Sequence, residues 1–133
     1  AGELVTWRQG VRCGWLAAAT ITLAATLVLT HVPQLELPRH TARWGVDKLI
    51  HAGAYGAIML LVLRSMGRAG TWRRMLAIAV LLAIIGAVDE YTQPWVGRTA
   101  SVYDWLADVA GLVLGMSIWR MGWCHRPESH PVT

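Results

Sequence analysis

The sequence predicts an all-α fold: an integral membrane four-helix bundle with both termini on the cytoplasmic side. Three observations predict it. Of 133 residues, 55% are hydrophobic and only 15% are charged, whereas a soluble domain is about 25% charged. The apolar residues gather into four runs, each close to the about 20 residues that a helix needs to cross a bilayer. There are eight Trp and no Phe, and Trp favours places where one end of the ring is greasy and the other wet, as at a bilayer interface.

The same composition excludes other classes. High apolar content with little charge is the reverse of a disordered chain, and the length suits a single domain. Two cysteines are too few for a disulfide-stapled secreted module. A net charge of +4 raises the question of nucleic acid. That partner would need basic side chains clustered on a soluble face among stacking aromatics. Here the basic residues lie between apolar runs, which is the mark of a membrane topology signal, so no nucleic-acid partner is expected.

The first span covers residues 14–32, uncharged and rich in Ala, Leu and Thr. Arg8 and Arg12 before it resemble the start of a signal peptide. The apolar run is longer than the about 7–15 residues of a signal peptide and lacks a small-x-small cleavage site, so a retained helix is expected. The second span covers 46–66 and opens with Asp47, Lys48 and His51. The third starts at Met75, is apolar to Val88, and then meets Asp89, Glu90, Tyr91, Thr92 and Gln93. The fourth covers 102–123 and contains Asp104 and Asp108. The expected organisation is a cytoplasmic N-terminal segment (1–13), a four-helix domain (14–123) and a cytoplasmic tail (124–133).

Orientation follows from Lys and Arg, which are enriched in cytoplasmic connections. Arg8, Arg12, Arg64, Arg68, Arg73, Arg74, Arg120 and Arg126 fall on one side; Arg39, Arg43, Lys48 and Arg98 fall on the other. The richer side is read as cytoplasmic, which places residues 33–45 and 94–101 outside. Trp15, Trp72, Trp119 and Trp123 then sit at the inner interface, and Trp44, Trp95 and Trp105 at the outer one. Cys13 and Cys124 are expected as free, reduced thiols at the cytoplasmic edge. His31 is expected as an interface residue, and the polar tail from residue 125 is expected to fray.

The acids carry the functional signal. Five of the eight, Asp47, Asp89, Glu90, Asp104 and Asp108, lie in or at the ends of spans and near one leaflet. Ionisable groups at membrane depth are costly and face the bundle interior or a wet cavity. Asp47, His51 and Tyr55 share one stripe of the second helix by their i, i+4, i+8 spacing. Gly86, Glu90 and Gln93 share a stripe of the third, with Asp89 about 100° away. Asp104, Asp108, Gly111 and Gly115 share a stripe of the fourth, where the glycines permit close backbone approach. Arg98, on the outer connection, is placed to reach down to the acids.

Two readings of this constellation compete. One is structural glue, although desolvation makes buried pairs poor glue. The other is a pocket with four carboxylates, Asp47, Glu90, Asp104 and Asp108, against Lys48 and Arg98. Protonation, a bound divalent cation or an amine-bearing partner would relieve that acidic excess. No tight metal motif such as His-Glu-x-x-His is present. Neither Ser101 nor Thr99 is marked as an activated nucleophile.

These residues resemble a family signature. Asp47-Lys48-x-x-His51 opening an apolar helix is similar to the DK-x-x-H motif of the VanZ-like family. Glu90-x-x-Gln93, then Arg98, then a Ser before Asp104, resembles its E-x-x-Q…R…S…D motif. Asp104-x-x-x-Asp108-x-x-Gly111-x-x-x-Gly115 resembles its closing motif. The resemblance covers residues 46–115. It departs from the common pattern at Asp108, where many members carry Asn. It implies a small multi-pass protein of the bacterial cytoplasmic (inner) membrane, in a family named for low-level resistance to the lipoglycopeptide teicoplanin, and implies no settled enzymatic activity.

The functional expectation is a polar outer-leaflet pocket of Asp47, Lys48, His51, Glu90, Gln93, Arg98, Asp104 and Asp108. It would bind an envelope lipid headgroup, a cell-wall precursor or a lipoglycopeptide. Lys48 and Arg98 would contact the anionic group, and His51 and the acids would orient it or bind a cation. The alternatives are an intramembrane enzyme acting on a phospholipid or polyprenyl-phosphate-linked substrate, and a partner subunit docking through the Gly111 and Gly115 face.

Overall fold

The computed structural model describes residues 2–32, 45–67 and 71–124, with side chains from Arg12 onward in the first segment and to Gly122 in the last. It contains α1 (Gly2–Thr30), α2 (Val46–Met66), α3 (Trp72–Thr92), a 3-10 turn (Gln93–Val96) and α4 (Val102–Cys124). All four helices are long and apolar enough to span a membrane. Two boundaries differ from the sequence reading. α1 begins at Gly2, so residues before 14 continue the helix. α3 begins at Trp72 because the Thr71 hydroxyl caps it by accepting from the Arg74 N–H, which satisfies one of the open donors of the first turn. Of the expected loop 33–45 only Gly45 is described, and the tail 125–133 lies outside the described residues.

The surface is inverted relative to a soluble protein. Leu16, Ile21, Leu49, Leu81, Ile84, Val113 and Ile118 are all more than half exposed, which is the outside that lipid tails accept. Polar groups on the spans turn back on their own helix. The hydroxyls of Thr20, Thr22 and Thr26 donate to the carbonyls of Leu16, Ala18 and Thr22, so these three donors do not face hydrocarbon unpaired.

The core joins Tyr55, Ile58, Met59 and Leu63 of α2 with Met75 and Leu82 of α3 and Leu112 and Met116 of α4. α2 packs most extensively on α4; α1 packs on α2, and α3 on α4. Lipid tails are as apolar as these side chains, so close van der Waals packing has to hold the helices together. The α2–α4 seam supplies it. A Cβ on Gly111 would collide with the Ala52 carbonyl, and one on Gly115 would lie 2.8 Å from the Gly56 carbonyl oxygen. Only glycine permits that approach.

The 3-10 turn makes the sharp return from α3 to α4. Pro94 sits at its start, and Gly97 ends it with φ 79, a left-handed conformation natural to glycine. Ser101 then opens α4, with its hydroxyl accepting from the Asp104 N–H at 3.3 Å.

Candidate functional site

All eight expected site residues lie at the end of the bundle formed by the α2 and α4 N-termini and the α3 C-terminus. Depth and contacts sort seven of them, together with further polar residues, into three neighbouring groups, with Gln93 touching two and Arg98 standing apart.

The deepest group joins α2, α3 and α4. His51 Nδ1 lies 2.9 Å from Asp108 Oδ1. Asp108 is 2% exposed and Glu90 is 6% exposed. Glu90 is held at both oxygens: Gln93 Nε2 donates to Oε1 at 2.9 Å, and the Ser101 backbone N–H donates to Oε2 at 2.9 Å. One donor atom each from His51, Glu90 and Asp108 lies within 4.8 Å of the others. Counting at 1.5 Å per residue, His51 and Asp108 sit about 7–9 Å below the starts of their helices. Tyr55, one turn below His51, is 1% exposed. A Cβ at Gly86 would lie 3.1 Å from the Tyr55 hydroxyl and 3.2 Å from Asp108 Oδ2, so the missing side chain at 86 leaves room where those two groups converge.

The second group lies nearer the rim. Lys48 Nζ donates to Asp47 Oδ2 at 3.0 Å and to Asp104 Oδ1 at 3.2 Å, joining α2 to α4. The Lys48 side chain remains 42% exposed, so its ammonium is shared between two carboxylates while still reaching the surface.

The third group brings in α1. The Thr30 hydroxyl donates to Asp89 Oδ1 at 2.9 Å, and His31 Nδ1 lies 3.3 Å from the same oxygen. His31 Nε2 lies 3.0 Å from the Thr92 hydroxyl, and Gln93 Nε2 donates to Asp89 Oδ2 at 3.4 Å. His31 is therefore part of the interhelical polar network, not only the interface residue that the sequence suggests. The divergence of Asp89 from Glu90 has a use: one carboxylate addresses α1 and the other faces α2 and α4. Gln93 bridges both.

Arg98 takes a different place from the one expected. Its Nη1 donates to the carbonyls of Leu29 and Val32 at 3.4 and 3.3 Å, adding a donor to the carbonyls at the end of α1. Among the described residues it makes no ion pair with a carboxylate. The physical reason is competition: the Leu29 and Val32 carbonyls at the α1 terminus lie within reach of its guanidinium, while Glu90 is already served by Gln93 and Ser101.

Three buried polar atoms have no hydrogen-bond partner among the described residues: Asp47 Oδ1, the Tyr55 hydroxyl and Arg98 Nε. All three belong to this end of the bundle. Thr30, His31, Tyr55, Asp89, Thr92 and Ser101 are contributors beyond the eight expected residues. A Thr-His pair closing an uncharged span was the available signal for the α1 contribution.

The opposite end is different in kind. There a half-open groove of about 400 Å³ is lined by Trp15, Leu60, Leu61, Arg64, Ile118, Trp119 and Gly122. The Arg64 guanidinium lies 4.6 Å from the centre of the Trp15 ring, and that of Arg120 lies 5.4 Å from the Trp72 ring. Cys13, at this end of α1, is exposed with a free thiol; the Cys124 side chain lies outside the described residues.

No curated protein and no solved structure matches the chain. The sequence model of the VanZ/LLP1 family matches residues 9–123, a stretch that includes all four spans and every residue of the polar end. With four membrane-spanning helices and a match over most of its length, the chain belongs to the VanZ/LLP1 family.

Proposed function

We propose that the polar end of this multi-pass membrane protein is an envelope-facing site for the anionic headgroup of a membrane lipid or cell-wall precursor. One observation carries the reading: polar side chains from all four helices converge at one end and leave Asp47 Oδ1, the Tyr55 hydroxyl and Arg98 Nε buried without partners among the described residues. Pure interhelical glue has no use for orphaned buried groups, which cost about 1–3 kcal/mol each. Lys48 stands at the rim with its side chain 42% exposed and its ammonium shared between Asp47 and Asp104, and it is the first cation that a phosphate would meet. Arg98, on the connection between α3 and α4, contributes a second cation whose buried Nε has no partner among the described residues. The excess of Lys and Arg at the opposite end orients this one toward the periplasm of a bacterial inner membrane. By holding a precursor or the lipoglycopeptide itself there, the protein would alter susceptibility to teicoplanin.

The test is native mass spectrometry of the protein in nanodiscs containing anionic phospholipid or a polyprenyl-diphosphate precursor. Retained lipid should fall in Lys48→Met and Arg98→Ala while the helical content holds. Equal retention in wild type and both variants would sink the proposal.

A second reading is an intramembrane enzyme acting on a phospholipid or polyprenyl-phosphate-linked substrate. It is favoured by the His51–Asp108 pair at 2.9 Å, the arrangement in which a carboxylate orients an imidazole for proton transfer. Turnover of those lipids by wild type but not by His51→Ala would select it over simple binding.

A further inference from the structure

We infer that His51, Glu90 and Asp108 form a three-ligand site for a first-row divalent cation, with zinc the best fit. The donor set is an imidazole and two carboxylates from three different helices, with one atom of each within 4.8 Å of the others. Zinc takes nitrogen and oxygen donors at about 2.0–2.2 Å, and three protein ligands leave a position open. Ligands of a bound zinc lie roughly 3.5 Å apart; the His51–Asp108 pair is at 2.9 Å and the whole set is within 4.8 Å, so side-chain torsions have to open one separation and close others.

Three further features separate this triad from an ordinary acidic cluster. The first is charge. Among the described residues no Lys or Arg pairs with Glu90 or Asp108; Lys48 is committed to Asp47 and Asp104. Two buried carboxylates with only an imidazole between them call for a cation. The second is the Tyr55 hydroxyl. It is buried and unpartnered, and it converges with Asp108 Oδ2 on the space left by Gly86, so it is aimed into the cluster at hand. The third is support around the ligands. Gln93 and the Ser101 N–H fix both Glu90 oxygens, and a carboxylate ligand retains lone pairs for a metal after accepting one bond at each oxygen. Outer donors of this kind hold ligands in place and tune the metal.

The ion site deepens the headgroup reading, because an open coordination position would accept a phosphate oxygen. Only that link rests on the headgroup reading; the ion site stands without it.

The experiment uses the full chain, free of affinity tags, stripped with chelator in nanodiscs of phosphatidylcholine and titrated with zinc alone, then with manganese, magnesium and calcium. One zinc per chain is expected, with affinity lowered at least tenfold in His51→Ala and in Glu90→Gln. Replacing both cysteines by serine should leave binding unchanged. X-ray absorption of the zinc-loaded wild type should show one imidazole and oxygen ligands, which decides the matter even where a variant does not fold. The inference is overturned if wild type binds neither zinc nor manganese, if both variants bind as well as wild type, or if the spectrum shows sulfur or more than one imidazole. Because no anionic lipid is present, failure of the headgroup reading would not alter these outcomes.

Discussion

His51 and Asp108 meet at 2.9 Å one residue and one helical turn, respectively, from a tight backbone contact between α2 and α4. That contact sets Ala52 against Gly111. The backbone contact and the polar pair are thus one device. Glycine removes the bulk that would separate the helices, and the shortened distance brings the imidazole to the carboxylate.

Gly111→Ala should therefore be costly, since its Cβ would meet the Ala52 carbonyl. Overpacking of this kind destabilises by about 1–3 kcal/mol. Gly53→Ala provides the contrast, because nothing lies within 4 Å of its added Cβ; stability should hold or rise by up to about 1 kcal/mol. Unfolding in mixed micelles measures both.

Asp108→Asn keeps an acceptor facing His51 and fits the residue common in the family signature, so its unfolding should stay close to wild type. Asp108→Ala removes the α2–α4 bond and should lose about 0.6–1.7 kcal/mol, the range for interhelical polar contacts in membranes. An alanine variant as stable as the asparagine one would show that the bond contributes nothing.

Thr30→Val removes the hydroxyl that joins α1 to Asp89 of α3. A loss of about 0.6–1.7 kcal/mol is expected. Thr20→Val should be close to neutral, since the Thr20 hydroxyl donates within its own helix.

Glu90→Ala strips the acceptors from the Ser101 N–H and from Gln93. Orphaning a buried donor costs about 1–3 kcal/mol. Amide exchange at Ser101 should accelerate in the variant, while exchange in the middle of α1 stays slow.

Orientation has its own test. In a background with both cysteines replaced, Thr99→Cys should react with a membrane-impermeant maleimide in spheroplasts, and Thr71→Cys should not. Both positions are exposed. The reverse labelling pattern would place the polar end in the cytoplasm.

Much of this molecule was legible in the sequence, and for physical reasons. A bilayer demands long apolar runs with internally satisfied backbones, so composition and run length alone reveal four helices. Carboxylates at membrane depth are too costly to be incidental, so Asp47, Glu90, Asp104 and Asp108 announce themselves, and 3.6-residue periodicity sorts them onto faces. What periodicity cannot supply is which faces meet. The pairing of α2 with α4 depends on a backbone approach that only three-dimensional packing defines. Thr30 and His31 look ordinary on an uncharged span until α1 is seen to end against Asp89. Arg98 was expected among the acids because charge attracts charge. In the fold its Nη1 instead reaches the Leu29 and Val32 carbonyls at the end of α1. Sequence determines which groups must be satisfied; tertiary structure decides by whom, because that depends on distances between helices that no single helix encodes.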